Sequence, residues 1–154
     1  MLLTVRRIVP EEVAQMEPFL DMFGKAFGDP DSYSGNRPSA EYHRRLLASD
    51  YFIALAAFKG PEIVGGIAAY ELKKFEQERS EIYIYDLAVD SSFRREGIAT
   101  AMIEELKKIA AERGAYVIFV QADTGIEDEP AIALYTKMGV REDVLHFDIA
   151  VPTG

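Results

Sequence analysis

Residues 81–122 constrain the fold of this chain more than any other stretch. "EIYIYDLAV" is an apolar strand-forming run ending at Val89, and "AYVIFVQA" is a second such run beginning at Ala115. Between them Ile98, Met102, Ile103, Leu106, Ile109 and Ala110 recur on a single helical stripe from about Gly97 to Arg113. Two strands joined through a long helix have no tight turn to reverse them, so they lie parallel with the helix packed over the sheet. Gly114 supplies the stop for that helix.

The flanking segments extend the same sheet. "TVRRIV" reads as a short strand, and Pro10 opens a helix with Val13, Met16, Phe19, Leu20 and Phe23 at helical spacing. "GDPDSYSGNRP" is a loop by composition, and Pro38 begins a second helix through "SAEYHRRLLAS". "YFIALAAF" and "IVGGIAAYEL" are strands closed by a tight hairpin at "KGPE". "AYVIFVQA" is expected to be buried. Pro130 opens a helix ending at Gly139, and "VLHFDIAV" is the last strand. Glu104 and Lys108 are expected to pair across the outer face of the long helix. The expected fold is α/β (α+β), a mixed central β-sheet with helices on both faces, in a single domain over residues 1–154.

Composition narrows the function classes. The 154 residues carry a formal net charge of −9, which repels phosphate backbones and argues against nucleic acid as a partner. The same charge attracts cationic partners, although keeping the protein in solution is reason enough for it. There is no cysteine, so neither a disulfide nor an acyl-cysteine intermediate can form. With only His43 and His146, a histidine-rich metal site is not expected, and both read as surface or packing residues. No apolar run approaches the ~20 residues that span a bilayer, and the N-terminus has no long apolar core, so no membrane association and a cytoplasmic location are expected.

The entry into the long helix, "SSFRREGIATAMIEEL", starts on Arg94, Arg95, Glu96 and Gly97, followed by small Ala99 and Thr100. A helix start offers unpaired N–H groups and partial positive charge, and a glycine there lets a ligand reach the backbone. The pattern suits a diphosphate. It is neither a P-loop nor a dinucleotide fingerprint, which require other residues. A surface loop with a helix cap is the alternative.

"RREGIA" matches the R-x-x-G-x-A pattern, and together with "DLAV" and "ALYTKMGV" in this order the chain resembles the GNAT superfamily of N-acetyltransferases. "FIALAAF", "KFEQERSEIYIYDLAV", "GAYVIFVQAD" and "ALYTKMGVREDVLHFDI" further resemble the aminoglycoside 3-N-acetyltransferases within it. The resemblance implies acetyl-coenzyme A as cofactor, with the pyrophosphate at the amides of Arg95 to Ala99 within an Arg94–Thr100 cradle that includes Ile98. It implies backbone pairing of the pantetheine arm along Leu87, Ala88 and Val89, as an added strand would pair. It implies that Tyr135 meets the coenzyme sulfur, where a phenol can donate a proton to the departing thiolate. It also implies a homodimer. An aromatic packing residue on a short helix is the structural alternative for Tyr135.

Asp86 stands out without the resemblance. Strict strand alternation puts it on the face of Ile82, Ile84 and Ala88, where an unpaired carboxylate is costly. Either a bulge re-aims it, it faces a cleft, or it bonds to neighbouring backbone. As a site residue it would position the acceptor amine. Asp123 and Asp148 would bind further ammonium groups, while Glu129, Glu81, Asp29 and Tyr33 are additional candidates for the acceptor pocket. Glu127, Asp128 and Glu129 could equally cap the helix at Pro130. Direct attack of an aminoglycoside 3-amino group, as on gentamicin, on the thioester is the expected reaction. A polyamine, a protein amine, or non-catalytic acyl-coenzyme A sensing are the alternatives.

Overall fold

The computed structural model describes residues 2–153, and the chain divides into two compact units, Met1–Gln121 and Ala122–Gly154. The first unit is a five-stranded mixed sheet in the order β1-β2-β3-β4-β5. Its strands are β1 (Leu3–Arg7), β2 (Phe52–Lys59), β3 (Glu62–Lys73), β4 (Ser80–Val89) and β5 (Ala115–Val120). The first four pair antiparallel in sequence, and β4 pairs β5 in parallel, as the intervening helix requires.

Helices cover both faces. On one side a 3₁₀ turn (Pro10–Gln15) leads into α1 (Met16–Phe27), followed by α2 (Pro30–Ser34) and α3 (Ala40–Ala48). Met16, Phe19, Met22 and Phe23 of α1 pack with Leu47 of α3 against Phe52, Ala54, Ala56 and Phe58 of β2. On the other side α4 (Ile98–Glu112) buries Ile98, Met102, Ile103, Leu106 and Ala110, five of the six stripe residues read from the sequence. Two adjacent glycines let both layers approach β3. A Cβ on Gly66 would lie 2.6 Å from the Phe19 ring, and one on Gly65 would lie 3.1 Å from Ile98. The small side of each glycine therefore sets how deeply α1 and the first turn of α4 seat on the sheet.

Several expectations change in detail. The loop at residues 28–38 contains α2, because Asp29 caps it by accepting from the Ser32 N–H at 3.4 Å and Pro30 opens it. The next helix starts after Ser39, whose hydroxyl accepts from the Tyr42 N–H, rather than at Pro38. Glu104 pairs with Lys107 and Glu105 with Lys108, both at i,i+3 spacing, instead of Glu104 with Lys108. β5 is half-exposed rather than buried, since it stands at the sheet edge: Tyr116 is 46% and Val117 40% exposed.

The second unit holds a 3₁₀ turn (Ile126–Asp128) and α5 (Glu129–Met138), which ends at Gly139 as expected. The strand expected at residues 144–151 is not formed, and residues 140–153 carry no regular structure. Alternating apolar residues give a segment the capacity for a strand, but a strand exists only when another edge takes its hydrogen bonds.

Candidate active site

β4 runs into a tight turn that shapes the start of α4. Asp90, only 6% exposed, closes this turn by accepting from the Ser92 N–H at 2.9 Å, and it pairs with Lys25 of α1 at 3.2 Å. Its own N–H donates to the Val64 carbonyl of β3 at 2.8 Å. Burial pushes the Asp90 carboxyl up, but Ser92 and Lys25 outweigh it and hold the group below the usual range. Asp90 was not singled out from the sequence, although an Asp-Ser-Ser turn was the available signal.

The chain then adopts two left-handed residues, Arg95 at φ 66° and Gly97 at φ 77°. Gly97 is the N-cap of α4, and no side chain caps that helix. Space around Gly97 is open to 4 Å, so its role is conformational and its backbone is accessible. The first-turn amides of α4 are thus left to an outside acceptor. Arg94, Arg95 and Thr100 are exposed, whereas Ile98 is buried beneath the turn. Glu96, a carboxylate beside an expected anion, is neutralised by Lys59 at 2.5 Å, and Lys59 in turn lies 5.5 Å over the Phe93 ring.

Beside the turn, β4 is open along one edge. The β4–β5 ladder ends at Ile84–Val120, while β4 stays paired with β3 up to Val89 opposite Gly65. Leu87, Ala88 and Val89 are therefore paired with β3 and not with β5. A slot of this kind offers main-chain donors and acceptors to an extended amide-bearing ligand.

Asp86 lies at the head of this slot. The β3–β4 register skips Tyr85: Ala69 opposes Ile84, and Ala68 opposes Asp86. The bulge changes the phase, so Asp86 leaves the face of Ile82 and Ile84 and joins that of Ala68. Of the possibilities open in the sequence, the bulge is the one observed. Asp86 accepts from the Tyr33 hydroxyl at 3.0 Å. Burial pushes the Asp86 carboxyl up, and the Tyr33 bond only partly offsets this. Burial and the facing Asp86 also push the Tyr33 phenol up. Nearby, Tyr85 meets Tyr70 and Tyr83 edge-to-face, and Tyr83 stacks on Phe119 at 4.7 Å.

The other candidates sit as follows. Glu81 accepts from the Tyr116 hydroxyl and lies 3.6 Å from Lys74. Asp29 is the cap of α2. In the second unit the Asp123 N–H donates to Asp128 at 2.8 Å, so the side chain of Asp128, the N-cap residue of α5, ties that loop and makes no capping bond to the helix. Glu129 occupies the first turn of α5 and suits its dipole. Tyr135 is on the same helix, and Asp148 lies 2.9 Å from His146. His43, by contrast, is a buried residue of α3, and burial pushes its imidazole down.

The acetyltransferase (GNAT) family matches residues 16–140, most of the chain and both units. The chain belongs to the GNAT family of acetyltransferases. Among solved structures, HMB0005, an aminoglycoside acetyltransferase from an uncultured soil metagenomic sample, is 70% identical and superposes with a TM-score of 0.97. That match covers 99% of this chain and 100% of HMB0005. The aminoglycoside acetyltransferase meta-AAC0020, also from an uncultured soil metagenomic sample and solved with sisomicin, is 28% identical at a TM-score of 0.87, covering 97% of each chain. N-acetyltransferase 8 of Rattus norvegicus is 31% identical over 56% of this chain, which spans 38% of that relative's length. An uncharacterized N-acetyltransferase of Methanocaldococcus jannaschii is 27% identical over 90% of this chain and 61% of its own length.

As a GNAT protein, the chain takes acetyl-coenzyme A as its cofactor, which supplies the acetyl thioester. The uncapped α4 start and the one-sided edge of β4 fit its two polar parts. Main-chain amides from Arg95 to Ala99 would hold the diphosphate, with Arg94 and Arg95 adding charge. Leu87 and Val89 would bond the pantetheine arm through backbone atoms.

Proposed function

We propose that this chain transfers acetyl from acetyl-coenzyme A to the 3-amino group of aminoglycosides such as gentamicin. The observation that carries the reading is the 70% identity over nearly the whole chain to an aminoglycoside acetyltransferase. The acidic composition and the half-buried Asp86 support a cationic acceptor. The 3-amino position rests on the resemblance of "KFEQERSEIYIYDLAV" and "ALYTKMGVREDVLHFDI".

Residues 1–154 act in this proposal as one catalytic domain in the cytoplasm. Asp86 orients the acceptor amine and receives its proton directly or through water. A carboxylate with an unperturbed pKa near ~3.9 is a poor base for an ammonium group, and the upward shift at Asp86 narrows that gap. The backbone N–H near Leu87 steadies the carbonyl oxygen as charge develops. Tyr135 is the proposed proton donor to sulfur: Tyr135→Phe should lower kcat by about 10²-fold with little change in coenzyme affinity, read by steady-state kinetics and calorimetry. Asp123, Asp148, Glu129 and Glu81 are proposed to meet further ammonium groups. A homodimer is the proposed assembly. Exposed Leu145, Phe147, Ile149 and Val151 support it, and light scattering should give twice the monomer mass.

The decisive experiment incubates the protein and acetyl-coenzyme A with gentamicin, spermidine and a lysine peptide separately. Mass spectrometry should show one acetyl on gentamicin, and NMR should locate it on the 3-amino nitrogen. Acetyl on the 6′-amino group would overturn the regiochemistry. Faster turnover of spermidine or the peptide would overturn the substrate class.

A further inference from the structure

We propose that Tyr33 is a positioning residue that holds the Asp86 carboxylate in its working orientation through a hydroxyl bond braced by the α1–α2 corner. The inference rests on the reading of Asp86 given above and adds a residue to it that acts through Asp86.

The geometry is built for this bond. Tyr33 stacks on Phe23 at 6.0 Å with 14° between ring planes, and it packs on Phe27 at 5.8 Å. Phe23 is fully buried and meets Phe19 edge-on at 5.0 Å, so the stack is anchored in the core. The backbone under Tyr33 is tied as well. Asp29 caps α2, and the Asp29 N–H donates to the Gly24 carbonyl of α1 at 2.9 Å. Gly24 has no room for a side chain: a Cβ there would lie 3.0 Å from the Pro30 Cα and 3.4 Å from the Tyr33 Cβ. A five-residue helix is therefore pressed onto α1 at the place that brings one phenol to 3.0 Å from Asp86.

The other side of the contact is the β4 bulge. It turns Asp86 toward Tyr33, and the side chain would otherwise have several rotamers near a cleft. The titratable groups that face this pair are Asp29 from the α1–α2 corner, Tyr70 from β3, and Tyr83 and Tyr85 from β4. Tyr33, Tyr70 and Tyr83 are all pushed above the ordinary phenol value, so it is the Asp86 charge that the hydroxyl bond controls. A donor to the carboxylate favours the charged form and opposes the effect of burial.

Tyr33→Phe keeps the ring stack and removes only the hydroxyl. The expected result is an acidic limb of kcat/KM for gentamicin moved about one pH unit upward, the size of one hydrogen bond to a charged group. kcat should fall about tenfold while the KM for acetyl-coenzyme A holds. Independently of turnover, carboxyl-carbon NMR should show Asp86 titrating at higher pH in Tyr33→Phe than in the parent. An unmoved limb and an unmoved Asp86 titration, beside an Asp86→Asn variant that loses the limb, would overturn the role of Tyr33 alone. An acidic limb that survives unchanged in Asp86→Asn would overturn the reading of Asp86 and this inference with it.

Discussion

Asp86, proposed above to position the acceptor amine, opposes the stability of its own fold. Its folded carboxyl titrates higher than in the unfolded chain, so the fold binds the proton more tightly. The stability linked to that proton is fully present below the unfolded pKa and is lost as pH rises through the folded pKa. At neutral pH the charged form is a liability that Asn removes while still accepting from Tyr33. Asp86→Asn should therefore melt at or above the parent temperature at pH 7.5, with the difference shrinking in acid, while kcat falls by about 10²-fold or more. Paired thermal scans and kinetics check both halves. Part of this was legible: a carboxylate in an apolar row is an anomaly visible in nine letters. Its partner was not, because Tyr33 lies 53 positions away and is brought near only by the packing of α2 on α1.

Among elements, the β4–turn–α4 unit is the proposed cofactor site, and Asp90 is its clasp. It ties the turn to Ser92, the sheet to Val64, and α1 to Lys25. Its folded carboxyl lies below the unfolded value, so its stabilisation is present above the unfolded pKa and disappears as pH falls through the folded one. Asp90→Asn should lose about 1–3 kcal/mol at pH 7 and progressively less as pH falls below the ordinary carboxylate range, measured by urea unfolding. It should also raise the KM for coenzyme, since the turn presents the α4 amides. The turn itself was readable because its signals are adjacent in sequence: two arginines, a glycine, and a strong helical stripe after them. The end of the β4–β5 ladder was not, because it depends on how far two strands whose partners lie 35 or 36 positions apart stay in register.

For the molecule as a whole, charge is the property that acts at a distance. A net charge of −9 draws polycations toward any cleft, and salt screens that attraction. The KM for gentamicin should rise severalfold between about 20 and 200 mM salt, with kcat changing little. The KM for spermidine, if it is turned over, should follow the same trend, whereas an anionic amine should show the opposite one. Such a salt series separates attraction by the whole surface from contact at Asp86, which substitution tests directly.

Local periodicity and turn chemistry determined the elements, their order, and the parallel crossover between residues 81 and 122. These depend on neighbours within a few turns or a strand length, so letters suffice. The tertiary structure alone decided the phase change at Asp86, the one-sided edge of β4, the half-exposure of β5, and the absence of a strand in residues 144–151. Each depends on which distant backbone supplies a hydrogen-bond partner, and a single chain's pattern records the capacity for that bond but not the partner.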